Sequence, residues 1–598
     1  MSAKKELPLR SELRACDCWD LTPLYADDEA WEADFLKLDP ALEKFLQYKG
    51  RLGESPETLL AALEEGDRFA RLEEKLYVYA HLRHDEDTSN AHYTAMKGRM
   101  EAKGAEIGGK TAWFEPELMA IGPERFASFR ASPCLAFYKR TLDETERERP
   151  HTLSEKEERI LSLSSDVFGT SEKAFSMMND ADIRFPKIRD PKGRAVELTH
   201  GSYRKFMESR DRAVRRRAFR SLHKTFGSWR NTFAALLEST VKTNVLSARL
   251  RNFPDTLTMA LSGANIPVSV YDSLIEAVHA GLPVYHDYFA FRAKRLGLKK
   301  LEMWDIQNTI VKSAPEVQYS WEEAVSLVKA ACRPLGKTYL EALGKAFSER
   351  WIDIRECRGK RSGAYSSGCY DSNPYLLLNF NGTLDSVSTL AHELGHSMHS
   401  YFSNAAQKYH YASYHLFAAE IASTCNELLL NHYLAERTDD PAFKAYLLNQ
   451  LLDDFRGTLF RQTMFAEFER DIYRRVEKGE VLTADLLCGL YADLNARYHG
   501  PAVNNTPEIQ YEWARIPHFH YGFYVYQYAT GISAAAAFAK NILEGNTEPY
   551  LKFLSAGDSK DVIDIIREAG VDFSTSAPVE AAVELFGKTL SSLKSLEI

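Results

Sequence analysis

Residues 386–403 read SVSTLAHELGHSMHSYFS, and His392-Glu393-Leu394-Gly395-His396 within them is an HExxH motif. The stretch is predicted to be a helix that starts at Asp385 or Ser386. One helical turn then separates His392 from His396 on a single face, so both imidazoles reach one metal ion. Glu393 is offset by one residue and addresses the water beside that ion. Zinc suits such a set, because catalytic zinc takes three protein ligands and leaves a position for water.

The third ligand has to come from elsewhere. The longer HExxHxxGxxH pattern needs Gly at 399 and His at 402, where this chain has His399 and Phe402. His399 shares the face but lies two turns from His392, poorly placed to converge on the same ion, and reads as a satisfied polar residue or one that supports a ligand from behind. The next predicted helix, 412–436, contains YHLFAAEIASTCNELLLNHYLAE. Glu420 and Glu427 are seven residues apart there, on one face. Glu420 sits among Phe417, Ala418, Ala419 and Ile421, where an uncompensated charge is costly and a metal would compensate it. Glu427 is then placed to hold an imidazole ligand from behind.

Two flanking stretches bear on the substrate. Residues 351–383 hold Gly359, Gly363 and Gly368, then a short apolar run and Asn381-Gly382. They read as a glycine-rich loop, a strand at about 375–380 and a turn. The loop and strand are expected to bind a peptide backbone by strand addition, with Gly363, Tyr365, Asn379 and Tyr524 as candidate substrate contacts. Residues 511–528, YEWARIPHFHYGFYVYQY, hold five tyrosines and two histidines. Packing in a core is the commoner use of such a stripe. If the segment from His518 is helical, however, His518, Tyr521 and Tyr528 fall within about 80° of one another. Tyr526 then points away and Tyr524 lies near the edge. Facing a zinc site, the shared face would donate hydrogen bonds to a developing oxyanion.

The rest of the chain is read as mainly α. Helices are predicted near 29–48, 55–83, 91–110 and 154–165, the second starting at Ser55-Pro56. A hairpin is expected within 182–199 around Asp190-Pro191-Lys192-Gly193. The arginine run from Arg210 to Arg220 reads as a solvated helix face paired with acidic neighbours rather than an anion site. A length of 598 residues exceeds what one core usually serves. A net charge of -9 argues against a nucleic-acid partner. Neither a run of about 20 apolar residues nor a signal-peptide core is present, so no membrane partner is expected. The eight cysteines follow no framework spacing, and a cytoplasmic setting with free thiols fits them.

The segments AHELGHSMHS (391–400), AEIASTCNE (419–427), RIPHFHYGFYVYQYATG (515–531) and CWDLTPLY (18–25), with the hairpin near 182–199, resemble the oligoendopeptidase F branch of the thimet-oligopeptidase-like zinc metallopeptidases. The resemblance runs over nearly the whole chain. It implies one zinc ion on His392, His396 and Glu420, with Glu393 as general base. It also implies a large, helical, clam-like zincin with a small β-sheet beside the HExxH helix and a deep internal channel. An N-terminal helical region (1–200) and a metallopeptidase catalytic domain (201–598) are expected. His520 departs from the family pattern and is expected to bear on substrate preference. The function expected is hydrolysis of internal bonds in short unstructured peptides. The rivals are an HExxH zinc carboxypeptidase and a peptide-binding protein with an inactive site, against which the intact Glu393 argues. The oligomeric state has no signal in the sequence.

Overall fold

The structure, a computed structural model, describes residues 6–311 and 317–596. Helices dominate it, and the strands are few and short. The chain forms two compact units that interleave in sequence. The first comprises Met1–Glu155, Glu316–Tyr433 and Phe538–Gly570; the second comprises Lys156–Pro315, Leu434–Ala537 and Val571–Ile598.

In the first unit the long helix Pro56–Glu86 starts as read, with Ser55 Oγ accepting from the Thr58 N–H at 3.2 Å and Pro56 at the first helical position. The single helix expected over 29–48 is two, Asp28–Phe35 and Leu38–Leu46. Pro40 explains the break, because a helix continued through it would drive its ring against the Leu36 carbonyl.

Among the described residues there are two small sheets. In the second unit, β1 (Ile188–Arg189) and β2 (Ala195–Val196) form the expected hairpin. Asp190 closes its turn by accepting from the N–H groups of Lys192 and Arg194, both at 2.9 Å. In the first unit, β3 (Ile352–Asp353), β4 (Tyr365–Ser367) and β5 (Tyr375–Leu377) form a sheet in the order β3-β5-β4. The central β5 is parallel to β3 and antiparallel to β4. The outer side of β3 continues into the N-terminal segment, where the Ile354 N–H donates to the Asp17 carbonyl at 2.9 Å. Asp353 is fully buried, which Lys360 and Arg10 make tolerable by contacting its two oxygens at 2.7 Å each.

All of the arginine run but Arg210 lies on helix Arg212–Ser228 of the second unit, and one member of it is not solvated. Arg215 is buried, and with Arg212 it closes on the buried Asp305 at 2.8 and 2.7 Å. Arg212 stays partly exposed, whereas Arg215 is internal, and its acidic partner is 90 residues away in sequence. Among the described residues no helix is long and apolar enough to cross a membrane, and the eight cysteines are free thiols.

Candidate active site

The motif helix runs Leu384–Ala406, one residue earlier than read, because Thr383 caps it by accepting from the Ser386 N–H. The helix that carries Glu420 and Glu427 runs Leu416–Arg437. Gly395 lets the two approach: a Cβ there would lie 2.6 Å from both the Ala422 carbonyl oxygen and the Ser423 Cα. Asn426, fully buried, ties the crossing by donating to the Ala391 carbonyl at 3.1 Å and accepting from the Tyr339 hydroxyl at 3.0 Å.

At this crossing three donors converge. Nε2 of His392 and Nε2 of His396 are 3.2 Å apart, and each lies 3.5 Å from Oε2 of Glu420. Lone pairs aimed at one point repel unless a cation or proton lies among them. Metal–ligand bonds of about 2.0–2.2 Å in a tetrahedron give ligand–ligand edges of about 3.3–3.6 Å, so the residues fit a zinc-sized ion. Among the described residues His392, His396 and Glu420 form a group able to hold a metal. The imidazoles, His396 first, hold the Glu420 carboxyl down to about 2. Ser423 Oγ donates to Glu420 Oε2 at 2.9 Å and fixes its orientation. Glu427 Oε2 stands 3.5 Å from Nδ1 of His392, which favours a proton on Nδ1 and leaves Nε2 free as a ligand. Burial alone would lower His392, yet Glu427 and the other carboxylates raise it.

Glu420 was singled out from the sequence because burial would demand compensation. Its side chain is in fact 55% exposed. Convergence with the imidazoles, not burial, makes it ligand-like. Glu393 is the buried carboxylate, at 7% exposure, and burial raises its proton affinity against the pull of both imidazoles. His399 is buried beneath Tyr414, ring centroids 3.6 Å apart, with Phe553 alongside. Burial lowers it to about 3, so it stays neutral and lies off the metal group.

The motif helix also meets the sheet. Ser397 Oγ donates to the Glu393 carbonyl at 3.0 Å and lies 2.8 Å from Ser366 Oγ on β4. The stretch at 375–380 was expected to dock a peptide, but β5 is flanked on both sides and its ladder is full. The edge strand is β4. Of the candidate contacts, Tyr365 lies on β4 with its hydroxyl donating to the buried Asp85 at 3.0 Å. Asn379 donates to the carbonyls of Arg361 and Gly363, at 3.0 and 2.8 Å. Gly363 has φ +87°, a conformation that favours glycine. Asn379 and Gly363 thus shape the loop, and the Tyr365 hydroxyl is already engaged within the chain.

The aromatic stretch lies in the second unit, and it is not one helix. A 3-10 turn at Pro517–His520 gives way to a loop, and regular helix begins at Tyr526. Pro517 interrupts the run, and Gly522 and Phe523 adopt φ of +63° and +57°. This reversal, rather than a shared helical face, gathers the side chains. His518 Nε2 lies 3.3 Å from the Tyr528 hydroxyl. The His518 ring is 5.6 Å from Tyr521 and 6.1 Å from Tyr524, and Tyr524 is 5.5 Å from Tyr528. Burial lowers His518. Tyr521 is exposed, while Tyr526 is buried against Tyr271 on the far side. His520 is buried on Phe175, 4.4 Å between centroids, with Nδ1 2.8 Å from Thr240 Oγ1. Packing therefore accounts for His520, and no role in substrate preference follows from its position.

Three supporting residues escaped the sequence reading. Ser423 had a usable signal, its position three residues after Glu420 on a helix. Gly395 and Asn426 had none, since each acts through a helix crossing.

The chain matches the profile of peptidase family M3 over residues 205–585 and that of oligopeptidase F over residues 117–185. It is 41% identical to oligopeptidase PepF of Bacillus subtilis over 99% of this chain and 89% of that protein. It is 39% identical to group B oligopeptidase PepB of Streptococcus agalactiae, over 98% of both. The crystal structure of oligoendopeptidase-F from Enterococcus faecium is similar at a TM-score of 0.72 and 36% identity, covering 95% of this chain and 99% of that one. A solved structure from Chlamydophila abortus is similar at 0.94 and 37%, covering 99% and 100%. An HExxH helix crossed by a glutamate helix, within full-length likeness of this kind, makes the chain a member of peptidase family M3.

Proposed function

We propose that the chain is a zinc-dependent endopeptidase of short unstructured peptides. The observation that carries the reading is the convergence of His392, His396 and Glu420 beside a buried Glu393. Relatives named oligopeptidases support the substrate class. His392, His396 and Glu420 would hold one zinc ion, with Glu427 orienting His392. The bound ion would supply a Lewis acid that polarises the scissile carbonyl and acidifies water.

Glu393 takes the proton of the attacking water and delivers it to the departing amine nitrogen as the C–N bond breaks. A carboxyl raised by burial suits both halves of that transfer. The β4 edge offers backbone N–H and C=O groups to an extended peptide, with Gly363, Tyr365 and Asn379 setting the loop beside it and Tyr524 as a further substrate contact. His518, Tyr521 and Tyr528 offer N–H and O–H donors to the negative charge that grows on the former carbonyl oxygen. The channel implied by the family resemblance would exclude folded proteins. A reducing cytoplasm suits the free thiols.

Elemental analysis combined with a quenched peptide blocked at both ends tests this reading. Stoichiometric zinc and cleavage are expected; zinc without cleavage of the blocked peptide would favour a carboxypeptidase. The aromatic cluster has its own test. Tyr528→Phe should lower kcat by roughly 10- to 1,000-fold with zinc retained, and Tyr521→Phe and His518→Ala should act likewise. Tyr526→Phe should be mild because that side chain packs in the core. Unchanged kcat in both Tyr521→Phe and Tyr528→Phe would return the cluster to ordinary packing.

A further inference from the structure

Glu469 lies on helix Arg461–Glu477 of the second unit and is fully buried. Its Oε1 accepts the backbone N–H of Phe523 at 2.7 Å, and its Oε2 has no hydrogen-bond partner among the described residues. Phe523 is the bulky residue with φ +57°, directly after Gly522 at +63°. A left-handed aromatic residue persists only where its surroundings over-determine it. Here the ring is buried against Tyr473 at 4.5 Å and Tyr271 at 5.8 Å, and the backbone is held by the carboxyl. Asn244 donates to the Tyr473 hydroxyl at 2.7 Å, and its amide nitrogen would lie 3.3 Å from a Cβ at 522.

We propose that Glu469 is a positioning residue: its carboxyl latches Phe523 and so fixes the reversal that gathers His518, Tyr521, Tyr524 and Tyr528. Without the latch, Phe523 relaxes to negative φ, and the rings on either side of it turn relative to one another. Burial pushes the Glu469 carboxyl up to about 8. The latch needs only an acceptor oxygen at Oε1, which an amide supplies equally well.

The functional half of this inference rests on the proposed role of the cluster as oxyanion donors. Glu469→Met and Glu469→Gln in the full chain separate the two. Glu469→Met keeps the volume and removes the acceptor. It should speed amide exchange at Phe523 about tenfold or more and lower kcat by about tenfold or more, with zinc content unchanged. Glu469→Gln should restore both. Wild-type exchange at Phe523 in Glu469→Met, or a Glu469→Gln as impaired as Glu469→Met, would overturn the latch. Faster exchange with unchanged kcat would overturn the positioning role. If Tyr528→Phe proves fully active, the cluster reading fails by itself, while exchange at Phe523 still decides the latch. Should Glu469→Met not fold, Gly522→Ala strains the same turn and must give faster exchange and lower kcat; wild-type values there would overturn the proposal.

Discussion

Glu393→Gln is expected to retain its zinc and lose nearly all peptide hydrolysis. Glutamine keeps the side-chain shape and is neutral, so nothing in the buried pocket is left to clash or repel. It has no proton affinity to offer the attacking water, and no proton to return to the amine. A positioned general acid–base contributes roughly 10²–10⁴-fold, and a loss of that order in kcat is expected. Metal content and turnover of a quenched peptide, measured on the same preparation, check the result. Turnover like that of the wild type would remove Glu393 from the chemistry.

The second large effect concerns the metal itself. His392→Ala, His396→Ala and Glu420→Ala should each lose zinc. Structural zinc sites bind with about 10–16 kcal/mol over four ligands, so each ligand is worth on the order of 10²–10³-fold in affinity. Glu427→Ala should cost less, about 10–100-fold, because that carboxylate acts only through His392. The ranking of Glu420 against Glu427 carries the information. Both are partly exposed glutamates on one helix face, and only Glu420 approaches both Nε2 atoms. Dialysis against graded chelator followed by elemental analysis gives the order. If Glu427→Ala sheds more zinc than Glu420→Ala, the third ligand is misassigned.

Local patterns in the sequence were legible, and distant pairings were not. HExxH spacing and helical period place His392, Glu393 and His396, because all three depend on one helix. Glu420 was reached by an argument from burial, yet the side chain is exposed and its partners lie across a helix crossing. The aromatic residues were identified, but their helix was not there. Pro517 and Gly522 were visible warnings, whereas the left-handed Phe523 depends on Glu469, 54 residues earlier in the chain. The strand read at 375–380 starts where expected but ends at Leu377, and its neighbours were not placed. Sheet order is set by which segments return beside it, and β3 and β4 precede it in the chain. The arginine run is a solvated face as read except at Arg215, whose buried partner Asp305 is remote in sequence.

The missing side chain at Gly395 has a consequence for how the metal comes and goes. With the Ala422 carbonyl and the Ser423 Cα pressed into the space a Cβ would fill, the corners of the cage are set by backbone contact. Conformational search is then complete before any ion arrives. Stripped protein should stay folded by circular dichroism and regain full turnover promptly when zinc is returned. Gly395→Ala, which by helix propensity alone should stabilise the helix by about 1 kcal/mol, would instead wedge the crossing apart. Its metal uptake should turn slow and weak, since each loading event must first draw Glu420 back toward the histidines.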